Sequence, residues 1–203
     1  MFTRVSSHIA VGATLFAVAS CGTDRSAPSP TEVLRVPVYE EAAPQAELNT
    51  DALHEIHVSP RGENEVPPRD TRAKGEATFI VSQDAQSVHY VLTVSQIENP
   101  FMAHIHIAPA GSNGPVVQWL FPGTSPGPGP AGIGLTNGLL AKGEFTSATF
   151  VGPLAGKSMA DLLNAIRSGR AYVNVHTASG VPGDTPHAGN FPGGEIRAQL
   201  QNK

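Results

Sequence analysis

The sequence predicts an all-β protein, an antiparallel sandwich or barrel with one short helix. The 203 residues include 21 Gly and 18 Pro, and this content favours many turns and short strands over long helices. Several segments alternate apolar and polar residues, as half-buried strands do. Only one segment has helical spacing, and nothing indicates the strand–helix alternation of a parallel sheet.

The first predicted elements are a short strand at 56–58 and an extended segment at 64–68. The second contains two prolines, which donate no hydrogen bond and therefore suit a sheet edge. Residues 75–81 and 88–94 both alternate, and a turn at 83–86 separates them. These two segments are predicted to form a β-hairpin.

The later part of the chain is predicted to add five strands around one long loop. The strands are expected at 103–107, 116–121, 139–150, 172–177 and 195–200. The loop, residues 122–134, is dense in Gly and Pro and is predicted to be irregular.

The helix is predicted over Met159–Ser168. Ser158 is a favourable N-cap, and Asp161 three residues later completes a capping-box pattern. Leucine and isoleucine side chains form an apolar stripe, and Gly169 provides the C-terminal stop.

Residues 1–20 are predicted to be a lipoprotein signal peptide. Arg4 is positively charged, and the apolar run Ile9–Ala19 is too short to span a bilayer. The run ends in Val18-Ala19-Ser20-Cys21, which resembles the lipobox of bacterial lipoproteins, where the Cys is lipidated. The alternative is an ordinary signal peptide cleaved near Ser20. Lipidation of Cys21 predicts a protein anchored to a membrane of the cell envelope, at the outer membrane on its periplasmic or surface face.

Residues 21–50 are predicted to be a disordered tether, because they are rich in Ser, Pro, Ala, Thr and Glu and have no sustained hydrophobic period. The folded domain is predicted to occupy 51–203. Cys21 is the only cysteine. No disulfide can therefore cross-link the domain, and its hydrophobic core must stabilise it.

The composition argues against nucleic-acid binding. The net charge is −4 and the 13 Lys and Arg residues form no cluster, whereas a nucleic-acid interface needs a basic surface. There is also no Gly-x-Ser-x-Gly nucleophile motif. We therefore expect a binding or structural module with an unknown protein or carbohydrate partner, rather than an enzyme.

Two strand segments carry the candidate site. His104 and His106 are two residues apart, so a strand directs both imidazoles to one face. His176 on the strand 172–177 joins them if the two strands are neighbours. Three converging imidazoles are typical of copper and zinc sites, and these three residues are the predicted metal ligands.

The favoured interpretation, to which this metal site is the alternative, is a structural cluster in which His104 or His106 hydrogen-bonds across strands. The candidate partners are Asn174, Thr177 and Glu195.

Other polar and aromatic residues are predicted to have structural roles. Arg197 is expected to form an ion pair with Glu195, two residues away, or with Asp184. Trp119, the only tryptophan, is expected to pack in the core. The remaining candidate histidines are expected to lie outside the site: His57, His89 and His187.

From about Leu53 to Gln201 the chain resembles the CHRD domain, found in the animal protein chordin and in many bacterial secreted proteins. Four segments in order carry the resemblance: Asn64-Glu65-Val66-Pro67-Pro68, Ala103-His104-Ile105-His106, Asn113-Gly114-Pro115-Val116-Val117, and Tyr172–Thr177 with Gly193-Gly194-Glu195-Ile196-Arg197. Residues 179–188 look like an insertion. The resemblance implies an immunoglobulin-like or superoxide-dismutase-like β-sandwich, and it implies no common activity.

Overall fold

The computed structural model of the protein describes residues 55–201. The predicted signal peptide, Cys21 and the predicted tether lie outside the described residues. The described part contains eight strands and one α-helix: β1 (Glu55–Val58), β2 (Lys74–Val81), β3 (Ser87–Glu98), β4 (Pro100–Ile107), β5 (Val116–Phe121), β6 (Leu135–Thr146), α1 (Met159–Arg167), β7 (Ala171–Thr177) and β8 (Ile196–Gln199). No helix among these residues is long and apolar enough to cross a membrane.

The strands form two four-stranded sheets, ordered β1-β2-β3-β6 and β5-β4-β7-β8. All neighbouring strands are antiparallel. The inner residues of both sheets belong to one hydrophobic cluster. The predicted all-β fold with a single short helix is therefore confirmed, and two separate sheets make it a sandwich.

Alternation along each strand places the core. In β2, Ala77, Phe79 and Val81 are buried, and their polar neighbours point outward. Ile105 of β4 and Val173 of β7 face them from the other sheet and are almost fully buried. The Tyr90 hydroxyl donates to the Leu120 carbonyl at 2.7 Å, so the one polar group among these aromatics is satisfied.

The helix is as predicted at its N-terminus and ends one residue earlier. Asp161 Oδ2 accepts hydrogen bonds from the Ser158 backbone N–H at 2.9 Å and from its hydroxyl at 2.7 Å. Leu162, Leu163 and Ile166 are buried, so the predicted stripe is the packed face. The helix packs against β7 and connects it to β6.

Two predicted elements differ in the structure. The strand predicted at 139–150 is β6, which begins at Leu135 because β3 continues to Glu98 and pairs with it there. Residues 64–68 form no strand, and the chain pairs with the edge strand β8 only at Arg61, just before them. They belong to a segment, Arg61–Arg72, that crosses the outer face of the second sheet and is called the cover segment below.

The cover segment contributes to the burial of β7, in which all seven residues are buried. One face of β7 packs on the core, and the cover segment contributes contacts to the other. Glu65 accepts a hydrogen bond from Asn174 Nδ2 at 2.8 Å, and Asn64 Nδ2 donates to the Arg197 carbonyl at 3.1 Å. The outer face of the second sheet is therefore a buried polar layer.

Candidate metal centre

Strands β4 and β7 are neighbours, and their pairing brings the three predicted histidines together. Met102 of β4 lies opposite His176 of β7, and His104 lies opposite Asn174. His104, His106 and His176 therefore share the outer face of the sheet, and all three are buried. One candidate nitrogen from each ring lies within 4.8 Å of the other two.

Backbone carbonyls fix the protonated nitrogen of two rings. His106 Nδ1 lies 2.9 Å from the Gly114 carbonyl oxygen, and His176 Nδ1 lies 2.9 Å from that of Pro192. A carbonyl only accepts, so each Nδ1 carries the hydrogen and each Nε2 holds a lone pair. His104 Nδ1 lies 3.0 Å from His176 Nε2 and donates to it. In all three neutral rings Nε2 is therefore the basic nitrogen.

Two of these lone pairs have no partner. His104 Nε2 and His106 Nε2 are buried, and neither has a hydrogen-bond partner. Buried polar atoms are nearly always satisfied, so two orphaned acceptors in one cluster require a physical reason. A metal ion is one group that would bind such lone pairs.

Burial keeps the rings neutral. Burial, together with the neighbouring His176 and His106, lowers the pKa of His104 to about 2. Burial also lowers the pKa of His176 to about 4, against the opposing effect of its bond to Pro192. The pKa of His106 is lowered by burial and by the Arg197 charge. Neutral imidazole is the form that coordinates metal ions.

The separations fit a metal site after a small closure. Metal–nitrogen bonds of about 2.0–2.1 Å place ligand nitrogens about 3–4 Å apart, so the widest pair has to approach by roughly 1 Å. Coordination by all three rings requires His104 to stop donating to His176 Nε2, either by turning its ring or by moving its hydrogen from Nδ1 to Nε2, after which Nδ1 can coordinate. Three neutral nitrogen ligands leave a further coordination position open.

Aromatic rings surround the cluster. Tyr172 stacks on His106 with ring centroids 4.8 Å apart and planes 9° apart. The Arg197 guanidinium lies over the Tyr172 ring, 3.5 Å from its centroid. Trp119 meets His104 edge to face at 4.2 Å. These contacts hold the imidazoles in fixed orientations.

Several sequence expectations are wrong. Neither His104 nor His106 bonds to Asn174, Thr177 or Glu195: Asn174 donates to Glu65, and Thr177 donates to Glu195. Trp119 is not a core residue, because register places it on the outer face opposite His104, where it is half-buried.

The expected ion pair of Arg197 with Glu195 or Asp184 is also wrong. The Arg197 guanidinium donates to Asn113 Oδ1 at 3.2 Å and to the Ser112 carbonyl at 2.9 Å. Glu195 is occupied by Thr177 and by the backbone N–H of Gly189.

The three other candidate histidines lie outside the site, as predicted. His57 and His89 are exposed on β1 and β3 of the first sheet, and His187 is exposed in the loop after β7. None belongs to the metal-ligating group found among the described residues.

Sequence patterns alone do not assign Tyr172 or Trp119 to the site. For Tyr172 a signal exists: it is four residues before His176 on the same strand, and therefore on the same face. The position of Trp119 opposite His104 depends on the pairing of β4 with β5, which contains register shifts. Such irregularities cannot be read from alternation.

The four segments noted in the sequence converge at this layer. Glu65 bonds to Asn174, Asn113 Nδ2 donates to the Val66 carbonyl at 2.7 Å, and Gly114 holds His106.

A family model, the CHRD domain, matches residues 56–184. No curated protein and no solved structure gives a significant match. Membership suggests an extracellular or structural binding module. Since the matched residues make up more than half of the sequence, the chain belongs to the CHRD domain family.

Proposed function

We propose that this protein is a metal-binding module of the cell envelope that holds copper or zinc through His104, His106 and His176. The observation that carries this proposal is the pair of buried, unpartnered Nε2 atoms on His104 and His106. An unsatisfied buried acceptor costs about 1–3 kcal/mol, and coordination of a metal ion removes that cost. A purely structural cluster gives no comparable reason for leaving both acceptors unpaired.

The arrangement around the rings also supports a metal-binding role. Each of His106 and His176 donates its Nδ1 hydrogen to a carbonyl, and this second hydrogen bond is the usual support of a metal-binding imidazole. The ligands come from adjacent central strands, so their positions are set by the sheet rather than by a loop.

Metal loading of the detergent-solubilised full-length protein tests this proposal. After incubation with copper or zinc and removal of free ions, elemental analysis should find one ion per chain. His176→Ala should lose the bound ion, because this residue links both other rings. His89→Ala, which removes an exposed imidazole on the other sheet, is the matched control and should bind normally. Circular dichroism checks that both variants are folded.

Two results would contradict the metal site. One is wild-type protein that retains neither metal after loading. The other is equal retention by wild type and His176→Ala, which would place any bound ion elsewhere.

We also propose that Cys21 is lipidated and anchors the domain to a membrane. The support is the lipobox-like segment Val18–Cys21 after a short apolar run. In cells given labelled fatty acid, wild type should incorporate label and Cys21→Ala should not. His176→Ala is the control and should label normally. Equal labelling of Cys21→Ala would overturn the anchor.

A further inference from the structure

Resting on the proposed metal site, we infer that this site selects Cu(I) over divalent ions, and that Met102 supplies a thioether sulfur to the bound Cu(I). Three features of the outer face lead to this inference: the position of Met102, the absence of an anionic donor in the ligand group, and the buried positive charge of Arg197.

Met102 lies beside the three imidazoles. It precedes His104 by two residues on β4, and it is directly opposite His176 on β7. Cβ atoms of directly opposed residues are about 4.5–5.5 Å apart, and a methionine side chain has three rotatable bonds to span that distance. Met102 is half-buried, so its side chain is not fixed by core packing. Thioether sulfur is a soft donor that favours Cu(I).

The ligand group contains no anion. Among the described residues, the only metal-ligating group found consists of His104, His106 and His176, all neutral. The nearby buried carboxylates are occupied: Glu65 accepts from Asn174, and Glu195 accepts from Thr177 and Gly189. None of the three ligands is an anion, so no ligand cancels the charge of a bound ion. The cost of burying a charge grows with its square, so a divalent ion costs about four times as much as a monovalent one.

Arg197 increases this difference. Its guanidinium is 1% exposed, and it stacks on Tyr172, which in turn stacks on His106. No carboxylate forms a salt bridge with it among residues 55–201. This buried positive charge repels a divalent ion about twice as strongly as a monovalent one.

Competition titrations of the detergent-solubilised full-length protein under anaerobic conditions test the inference. Cu(I) and Zn(II) are each titrated against a chromophoric chelator, with wild type, Met102→Leu and Phe101→Leu. Leucine keeps the size and apolarity of methionine, so Met102→Leu should fold. Phe101→Leu is the control, because it alters the neighbouring residue of the same strand, and phenylalanine has no donor atom for a metal ion.

We expect wild type to bind Cu(I) at least about 100-fold more tightly than Zn(II). Met102→Leu should weaken Cu(I) binding by about tenfold or more and leave Zn(II) binding unchanged. X-ray absorption of the Cu(I)-loaded protein should show a sulfur scatterer that Met102→Leu lacks. Phe101→Leu should match wild type in all three measurements.

The possible failures are distinguishable. Equal or tighter binding of Zn(II) overturns the selectivity but leaves the three-histidine site standing. Cu(I) binding that is insensitive to Met102→Leu, without a sulfur signal, overturns the role of Met102. Failure to bind either ion refutes the proposed function and this inference with it.

Discussion

At the scale of single residues, two glycines allow the buried layer to form. A Cβ on Gly114 would lie 2.7 Å from the Ile107 carbonyl carbon, so only glycine brings the carbonyl that holds His106 this close to β4. Gly194 has a φ of +120°, and a Cβ there would lie 2.6 Å from Glu65 Oε1. The glycines of two family segments thus permit close approach of backbone to the polar layer.

Glu65 is predicted to make stability depend on pH. Burial raises its pKa from 4.5 to about 7, although the positive charges of Arg197 and Arg69 oppose this shift. A carboxyl group with a raised folded-state pKa contributes stability that is complete below pH 4.5 and is lost as the pH rises through 7. Relative to Glu65→Gln, wild type should lose about 3 kcal/mol between pH 4.5 and pH 8.

Urea unfolding at several pH values measures this difference. Glu63→Gln is the control, because Glu63 is an exposed carboxylate two residues away, and its curve should run parallel to that of wild type. If the Glu65→Gln curve were also parallel, Glu65 would titrate alike in the folded and unfolded chains, and its burial would have no effect on its protonation.

At the scale of elements, β7 shows how far the sequence could predict the structure. Alternation placed this strand and directed Tyr172, Asn174 and His176 to one face, as observed. Alternation also suggests that a polar face meets water, yet this face is buried. Its burial depends in part on the cover segment, which bonds to Asn174 from more than 100 residues earlier and has no periodic pattern. Non-local contacts of irregular segments leave no local trace in a sequence.

The same limit decides how much of the candidate site could be predicted from the sequence. His104 and His106 are on one face by spacing alone, so their pairing was predictable. The contribution of His176 required β4 and β7 to be neighbours, and alternation does not determine which strands pair. The aromatic stack and the unpaired Nε2 atoms depend on ring orientations that only the full set of contacts determines.

Asn113 is predicted to stabilise the docking of the cover segment. Its Nδ2 donates to the Val66 carbonyl at 2.7 Å, and its Oδ1 accepts from the Arg197 guanidinium at 3.2 Å. Asn113→Ala removes both bonds and leaves a buried cation with fewer acceptors. We expect a loss of about 1–2 kcal/mol in the free energy of unfolding, measured in urea.

Hydrogen exchange locates this effect. In Asn113→Ala the amides of residues 61–72 should exchange faster, since the cover segment opens more often. Asn164→Ala, on the exposed side of α1, is the control and should change neither measurement. Unchanged exchange in Asn113→Ala would show that its two hydrogen bonds do not hold the segment.

At the scale of the whole molecule, the proposed metal ligands lie on the two central strands of the second sheet. Their hydrogen-bond partners Gly114 and Pro192 come from loops far apart in the chain, and Glu65 of the cover segment holds Asn174 between them. Global unfolding must therefore dismantle the site. A ligand that binds only the folded state stabilises the entire domain and not one loop.

This coupling predicts a metal-dependent melting temperature. At a free metal concentration 100 times the dissociation constant, binding adds about 2.7 kcal/mol to the free energy of unfolding, which for a domain of this size is roughly 5–10 °C. Calorimetry of the full-length protein should show one transition that moves upward with copper or zinc, because no disulfide among the described residues holds part of the fold together separately. His89→Ala should show the same shift, and His176→Ala should show none. A metal-induced shift that persists in His176→Ala would mean that the ion stabilises the fold from a different site. The three histidines would then stabilise the sandwich only through their packing contacts.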